Sequence, residues 1–434
     1  MIFRVIAEQI VALTVTKLES RSGRVLICAA AILVVFGVWI SAKWHFANAL
    51  STRAELKEVV DLSVSLAPSD PQTRFAAAAT YRRTFDPADQ VRSLAEYELV
   101  AALSPNNYLC WLELGRAREQ NGDRDGAELA LKRALDLAPN YAEVQWAYGN
   151  VLIRSGKGDE GLAQIRSAAS ANSKFVLPAV GIAMEVFGGE ANVVRQQIGD
   201  TQGVNAAIAE YLARQKRFDE AAAAWKLVSS NSITPELKEA GNRLFASMIA
   251  SKQYRSAAKI LADLSETENE KAAAEKITDG GFESGVKLKG AREFEWQVAE
   301  GTEPQIAISR TQKHGGESSL LLVFNTMQAS DFRAVGQLVA VEPGAAYEVE
   351  LFYRSEIKKG ITVRWDILNA IDGAAIAASM PVELNSEWKA IKITFTVPKT
   401  TDGIILRLVR DQCPSTVCPI NGSLWFDDIS IKRL

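Results

Sequence analysis

CWLELGRAREQNGDRDGAELALKRALDLAPNY, residues Cys110 to Tyr141, holds two helix-length segments around an Asn121-Gly122-Asp123 turn. Small residues (Gly115, Ala127, Ala134) stand where two antiparallel helices must approach closely, and large ones fill the space between. The Pro139 region ends the second helix. The pattern recurs. Pro105 and Pro139 are 34 residues apart, and so are Gly115 and Gly149, Ala134 and Ala168, Tyr97 and Leu131, and Leu131 and Ile165. Five coincidences at one spacing mark an internal repeat. One such unit cannot bury its apolar face alone, so several must stack.

Trp111, Leu114, Gly115, Ala127, Leu131, Ala134 and Pro139 resemble the tetratricopeptide repeat at the matching offsets, with Arg118 where an aromatic is usual. The next unit, Ala142 to Phe175, keeps Tyr148, Gly149, Ile165 and Ala168 but has Ser173 in place of the proline. Arg74 to Asn107 fits as an earlier unit, and Leu50 to Leu66 reads as a helix leading into the stack. Lys216-Arg217-Phe218-Asp219-Glu220-Ala221 is echoed 36 residues later by Lys252-Gln253-Tyr254-Arg255-Ser256-Ala257, the turn and second-helix start of weaker units. We expect an all-helical solenoid over 44–273, with about six helix pairs. The resemblance implies protein partners bound on a concave face, offering Glu113, Arg116, Gln145 and Asn150. Trp111, Trp146 and Trp225 are expected in the core.

Upstream, Val25 to Ala42 is a run of 18 residues without formal charge. A helix rising ~1.5 Å per residue nearly crosses a hydrocarbon core of ~30 Å over that length. Trp39 and Trp44 suit one interface, and Arg4, Lys17, Arg21 and Arg24 precede the run. We expect a membrane helix over 25–43, with 1–24 cytoplasmic and the bulk extracytoplasmic, in the inner (cytoplasmic) membrane. The competing reading is a signal peptide cleaved near Ala47-Asn48-Ala49. Ile2 to Leu18 fits a helix on the inner membrane face or an ordinary short helix.

At Ile277 the text changes. Tyr347, Val349, Leu351 and Tyr353 alternate with Glu348, Glu350, Phe352 and Arg354. Ile361, Val363, Trp365 and Ile367 alternate with Thr362, Arg364, Asp366 and Leu368. The same period of two runs through Ile391 to Val397 and Ile404 to Val409. Glu342-Pro343-Gly344 and Asp372-Gly373 mark turns. These segments predict an antiparallel β-sandwich over 277–434. The fold class is therefore multidomain, α then β. Cys413 and Cys418 enclose Pro-Ser-Thr-Val between two strands, and export would allow a disulfide there; two unrelated thiols are the alternative.

Gly280-Gly281-Phe282-Glu283, Gly315-Gly316-Glu317-Ser318-Ser319-Leu320, Pro343-Gly344-Ala345-Ala346-Tyr347, Trp388 with Val397-Pro398, and Asp427-Asp428-Ile429 follow one another in order. That order resembles the galactose-binding-like jelly rolls of carbohydrate-binding modules. The resemblance implies a structural Ca2+ held by Glu283 and Asp427, with carbonyls near His314-Gly315; turn hydrogen bonding by the two carboxylates is the alternative. It also implies a glycan surface on a sheet face. Parity places Trp365 in the core and leaves Glu350, Phe352, Arg354, Arg364, Asp366 and Arg407 outward. The strands considered offer no outward Trp or Tyr.

Composition excludes more than it adds. Lys plus Arg is 49 and Asp plus Glu 52, a net charge of −3, which gives no support to nucleic-acid binding by bulk positive charge. Two histidines, His45 and His314, and four scattered cysteines do not make a zinc site of several His ligands or a four-thiolate ribbon. No nucleophile elbow or phosphate loop appears. A glycosidase needs two carboxylates flanking a cleft, and solenoid plus sandwich leaves no segment for a catalytic domain. We therefore expect no enzyme and no required cofactor. The expectation is a membrane-anchored scaffold that binds protein, and polysaccharide where the sandwich is glycan-competent, in bacterial envelope or exopolysaccharide assembly. A scaffold that binds protein alone is the first alternative, and a carbohydrate-active accessory or enzyme the second.

Overall fold

The computed structural model describes residues 21–434 apart from 54–55, 85, 230–231, 266–271, 329–331, 361 and 412–416. Residues 1–20, with the expected helix from Ile2 to Leu18, lie outside the described residues. Helices come first, then two antiparallel sheets. The chain divides into two compact units, Met1–Phe175 and Val176–Leu434. The division falls within the run of helices rather than at the change from helix to strand.

The first unit contains α1 (Arg21–Ser51), α2 (Lys57–Leu66), α3 (Pro71–Arg82), α4 (Pro87–Leu103), α5 (Tyr108–Gln120), α6 (Arg124–Leu137), α7 (Ala142–Arg154) and α8 (Gly158–Ala171). Asp70, Asp86, Asn107 and Asp123 each turn a side-chain oxygen onto a first-turn N–H, which starts α3, α4, α5 and α6. The 34-residue repeat is visible in matched detail. Gly122 and Gly156 take the left-handed turn, at φ 83° and 81°. The Trp111 indole N–H donates to the Pro105 carbonyl at 2.9 Å, and one repeat later the Gln145 amide donates to the Pro139 carbonyl at 2.8 Å. Leu112, Leu131, Val144 and Leu152 form the core between the two clear repeats. Gly149 lies so close to the α8 backbone that a Cβ there would stand 2.8 Å from the Gly161 carbonyl oxygen.

Among the described residues, α1 is long and apolar enough to cross a membrane. It runs unbroken past the apolar stretch, and Ala47 and Ser51 in its last turns are buried, at 0% and 5% exposure.

The second unit opens with α9 (Val176–Val186), α10 (Ala191–Ile198), α11 (Gln202–Arg214), α12 (Phe218–Ser229), α13 (Pro235–Ala250) and α14 (Tyr254–Leu264). The echoed sequences at Lys216 and Lys252 are equivalent bends, with φ of 60° and 57°. The strands are β1 (Gln297–Val298), β2 (Gln305–Ser309), β3 (Ser319–Gln328), β4 (Val335–Ala340), β5 (Ala346–Gly360), β6 (Val363–Asn369), β7 (Ala375–Ala378), β8 (Asn385–Thr396), β9 (Gly403–Arg410) and β10 (Val417–Arg433). One sheet has the order β1-β4-β9-β6-β7 and the other β2-β3-β10-β5-β8.

The four alternating segments are β5, β6, β8 and β9, with Ile361 outside the described residues. Tyr347, Val349 and Leu351 face Val363, Trp365, Ile404 and Leu406 across one core. Trp365 is fully buried, edge-on to Phe426 with ring centroids 5.1 Å apart.

Candidate functional site

The outer face of the sheet holding β5, β8 and β10 carries the candidate site. Residues opposite one another in an antiparallel sheet share a face, and Phe352 pairs with Ala390 on β8 and Asp427 on β10. Trp388, two residues from Ala390, is on that face too. The loop before β3 adds a third ring. His314 lies flat on Phe352, with centroids 3.8 Å apart and planes at 13°, and stands 5.7 Å from Trp388. Its Nδ1 is 2.7 Å from Asp428 Oδ2.

Two carboxylates hold that loop. Asp427 Oδ2 accepts the backbone N–H groups of His314 at 2.8 Å and Gly315 at 3.0 Å, while Oδ1 accepts that of Asp428 at 2.7 Å. Glu283 Oε1 accepts the Glu317 N–H at 2.8 Å, and Oε2 accepts the Ser318 hydroxyl at 3.1 Å. Burial pushes the Asp427 carboxyl above its ordinary value, against the pull of those N–H groups. Glu283 sits below the usual carboxylate range, chiefly because the Glu317 N–H donates to it.

These are the residues expected to hold Ca2+, and here they make the turn and loop hydrogen bonds of the alternative reading. Calcium needs six to eight oxygen ligands. Here all four carboxylate oxygens accept N–H or O–H donors, among them the N–H groups of His314 and Gly315 on Asp427. Among the described residues no group of three or more His, Cys, Asp or Glu side chains could hold a metal ion.

The six expected glycan contacts are not brought together. Glu350, Phe352 and Arg354 are on β5, in one sheet; Arg364 and Asp366 on β6 and Arg407 on β9 are in the other. Each trio points outward from its own sheet, so the core separates them. Arg354 pairs with Glu356 at 3.0 Å and with Glu387, and Glu350 with Lys392 at 3.0 Å. Arg364 pairs with Asp366 at 2.9 Å and with Asp411, and Arg407 lies opposite Asp366 in the register. His314, Trp388 and Asp428 are the additions the sequence reading missed. Parity with Ala390 and Lys392 carried the signal for Trp388; nothing periodic could flag His314, which comes from a loop.

In the first unit, Glu113 is buried and bonds to Arg82 on α3 and to Arg116 at 2.6 Å. Gln145 is also buried, and the Asn150 amide donates to the Trp146 carbonyl at 2.7 Å. Arg116 and Asn150 are half-buried. Trp111 and Trp146 are half-buried rather than core, with Trp146 stacked on Phe175 at 5.0 Å; in the second unit, Trp225 is buried. Cys28 and Cys110 are free thiols. Cys418 is disulfide-bonded, and Cys413, its expected partner, lies outside the described residues.

No family model matches the chain. A curated protein of Caenorhabditis elegans, BBSome complex member bbs-4, is 31% identical over 106 residues, 24% of this chain. The chain spans 22% of that protein's length. Among solved structures, MamA is similar over 40% of this chain and 84% of its own, at 17% identity and a TM-score of 0.28. A structure titled for CBM4 structure and function is similar over 36% of this chain and 99% of its own, at 14% identity and a TM-score of 0.28. TmCBM61 in complex with beta-1,4-galactotriose covers 36% of this chain and 96% of its own, at 19% identity and a TM-score of 0.27.

Proposed function

We propose that the chain is a single-pass membrane adaptor of the bacterial envelope. Its helical repeats bind protein and its sandwich grips a glycan on the β5–β8–β10 face, in exopolysaccharide or related envelope assembly. The observation that carries the glycan role is the ring cluster of His314, Phe352 and Trp388 beside Asp428. A pyranose has an apolar face that stacks on a flat ring and an equatorial rim of hydroxyls that needs fixed hydrogen-bonding groups. Rings at an exposed sheet face with a carboxylate at their edge supply both. Binding of this kind needs no turnover, and we read the protein as a non-enzyme.

The tether is read as uncleaved because of where α1 ends. Cleavage near Ala49 would remove Ala47, which is fully buried, and Asn48, whose amide bonds to Asp70 at 3.3 Å. The orientation follows the basic residues ahead of the span and places both units outside the cytoplasm. The Cys413–Cys418 bridge belongs to the same reading. Glu283 and Asp427 serve as loop anchors within it, presenting His314 to the site.

The test is binding of the full chain, in detergent, to an array of bacterial and plant polysaccharides. Trp388→Ala is expected to weaken the bound glycan at least tenfold, with Arg364→Ala, on the other sheet, unchanged. Binding lost equally in both, or absent in the wild type, overturns the glycan role. It then favours a scaffold for proteins alone, for which the pairing of Arg354 with Glu356 and of Glu350 with Lys392 already speaks.

A further inference from the structure

We propose that one end of the first unit, carrying loops 67–70, 104–107 and 138–141, rests on the lipid headgroups of the bilayer that α1 crosses. The inference rests on the membrane reading of α1 and names the surface that the tether brings the repeats against.

The first argument is distance. The uncharged stretch ends at Ala42, and α1 continues as helix through Asn48 to Ser51. Six residues of helix from Ala42 to Asn48 rise about 9 Å, at ~1.5 Å per residue. The headgroup layer is itself about 5–7 Å deep on each side. Asn48 bonds to Asp70, the residue that caps α3 and closes loop 67–70. Asn48, Asp70, Phe75, Asn107 and Leu109 line one cavity, which brings the start of α5 to the same place. The Tyr108 and Tyr141 rings, 5.0 Å apart, join the third loop to the second. The tether therefore delivers this end of the stack to within about one headgroup depth of the bilayer.

The second argument is chemistry, and it is independent of the first. Around this end Phe46, Leu103, Leu109 and Tyr141 are 57%, 41%, 39% and 43% exposed. Of the opposite bends, 120–124 and 154–158 read QNGDR and RSGKG and hold no apolar side chain, while 83–86 reads RTFD. The headgroup region accommodates an amphipathic ring such as that of Tyr141 and its acyl boundary takes Phe and Leu, whereas charged glycine turns are suited to bulk water. The exposed apolar side chains at the near end suit an interface, and the two glycine bends of the clear repeats suit solvent.

The experiment uses the full chain in phospholipid nanodiscs, with Cys28→Ser and Cys110→Ala as background, since Cys110 lines the same cavity. An environment-sensitive fluorophore is attached at Asn106→Cys, Asn121→Cys or Val35→Cys, and quenching is measured with nitroxides on the lipid headgroup or along the acyl chain. The headgroup nitroxide is expected to quench the label at 106 at least threefold more than the label at 121, with the label at 35 quenched by the acyl-chain nitroxide. Equal quenching at 106 and 121, with the label at 35 still quenched, overturns the proposal and leaves the anchor standing. No quenching at 35 overturns the membrane reading, and this proposal with it.

Discussion

Asp402 accepts the backbone N–H of Arg255 at 2.9 Å and, through its other carboxylate oxygen, that of Tyr254 at 3.2 Å. A residue on the β8–β9 connection thus caps α14, whose own N-cap residue, Gln253, makes no side-chain cap bond. The Tyr254 hydroxyl donates to the Ala370 carbonyl at 3.0 Å, and Lys252 Nζ to that of Ile371 at 2.6 Å. Arg255 also pairs with Glu342. This set of bonds joins α14 to the sandwich inside the compact second unit.

Asp402→Ala leaves two helix N–H groups without an acceptor and is expected to cost about 1–2 kcal/mol. Hydrogen exchange should speed up across α14 while α5 to α8 keep their protection. Asp402→Asn, which keeps an acceptor oxygen for one of the two N–H groups, should recover no more than about half of the loss. Unchanged exchange in α14 for the alanine variant would refute the cap.

Chelation tests the reading of Glu283 and Asp427. The melting temperature should be the same in EDTA and in millimolar Ca2+, because the carboxylate oxygens are occupied by protein donors. Asp427→Ala strands three N–H groups and should cost about 3 kcal/mol. A clear upward shift with calcium would restore the metal site.

The two carboxylates also give opposite pH signatures. The lowered native pKa of Glu283 means that its ionised form stabilises the fold above the ordinary glutamate value, and that this is lost as pH falls through the native value. For Asp427, burial raises the native pKa, so its cost is present above that value and is relieved by acid. The stability gap between wild type and Glu283→Gln, read from urea midpoints, should shrink toward zero as pH falls from 7 to 3. The gap for Asp427→Asn should move the other way.

Gly149→Ala probes the repeat. The new Cβ would stand 2.8 Å from the Gly161 carbonyl, and backbone cannot swing aside as a side-chain tip can. The expected cost is about 1–3 kcal/mol, outweighing the better helix propensity of alanine. An unchanged urea midpoint would refute the close approach of α7 to α8.

Much of the architecture was legible in the text. The 34-residue spacing exposed α5 to α8, and strict alternation exposed β5, β6, β8 and β9, because both are periodic consequences of burying one face. The site was legible only in part. Period two tells inward from outward but not which sheet a strand joins, so Phe352 and Arg364 looked like neighbours although the core lies between them. Trp388 obeys the alternation and was open to the same reading. His314 sits in a loop whose position is set by Asp427 and Glu283, far away in sequence, and no local pattern encodes that.

Lys216 and Lys252 hold left-handed bends that Gly122 and Gly156 hold in the clear repeats. A branched-free but Cβ-bearing residue in that conformation carries roughly 1 kcal/mol of strain that glycine does not. The hairpin at Lys216 is therefore tuned below its attainable thermal ceiling, and glycine there would raise it, whereas at Lys252 the relief is set against the Nζ bond to the Ile371 carbonyl.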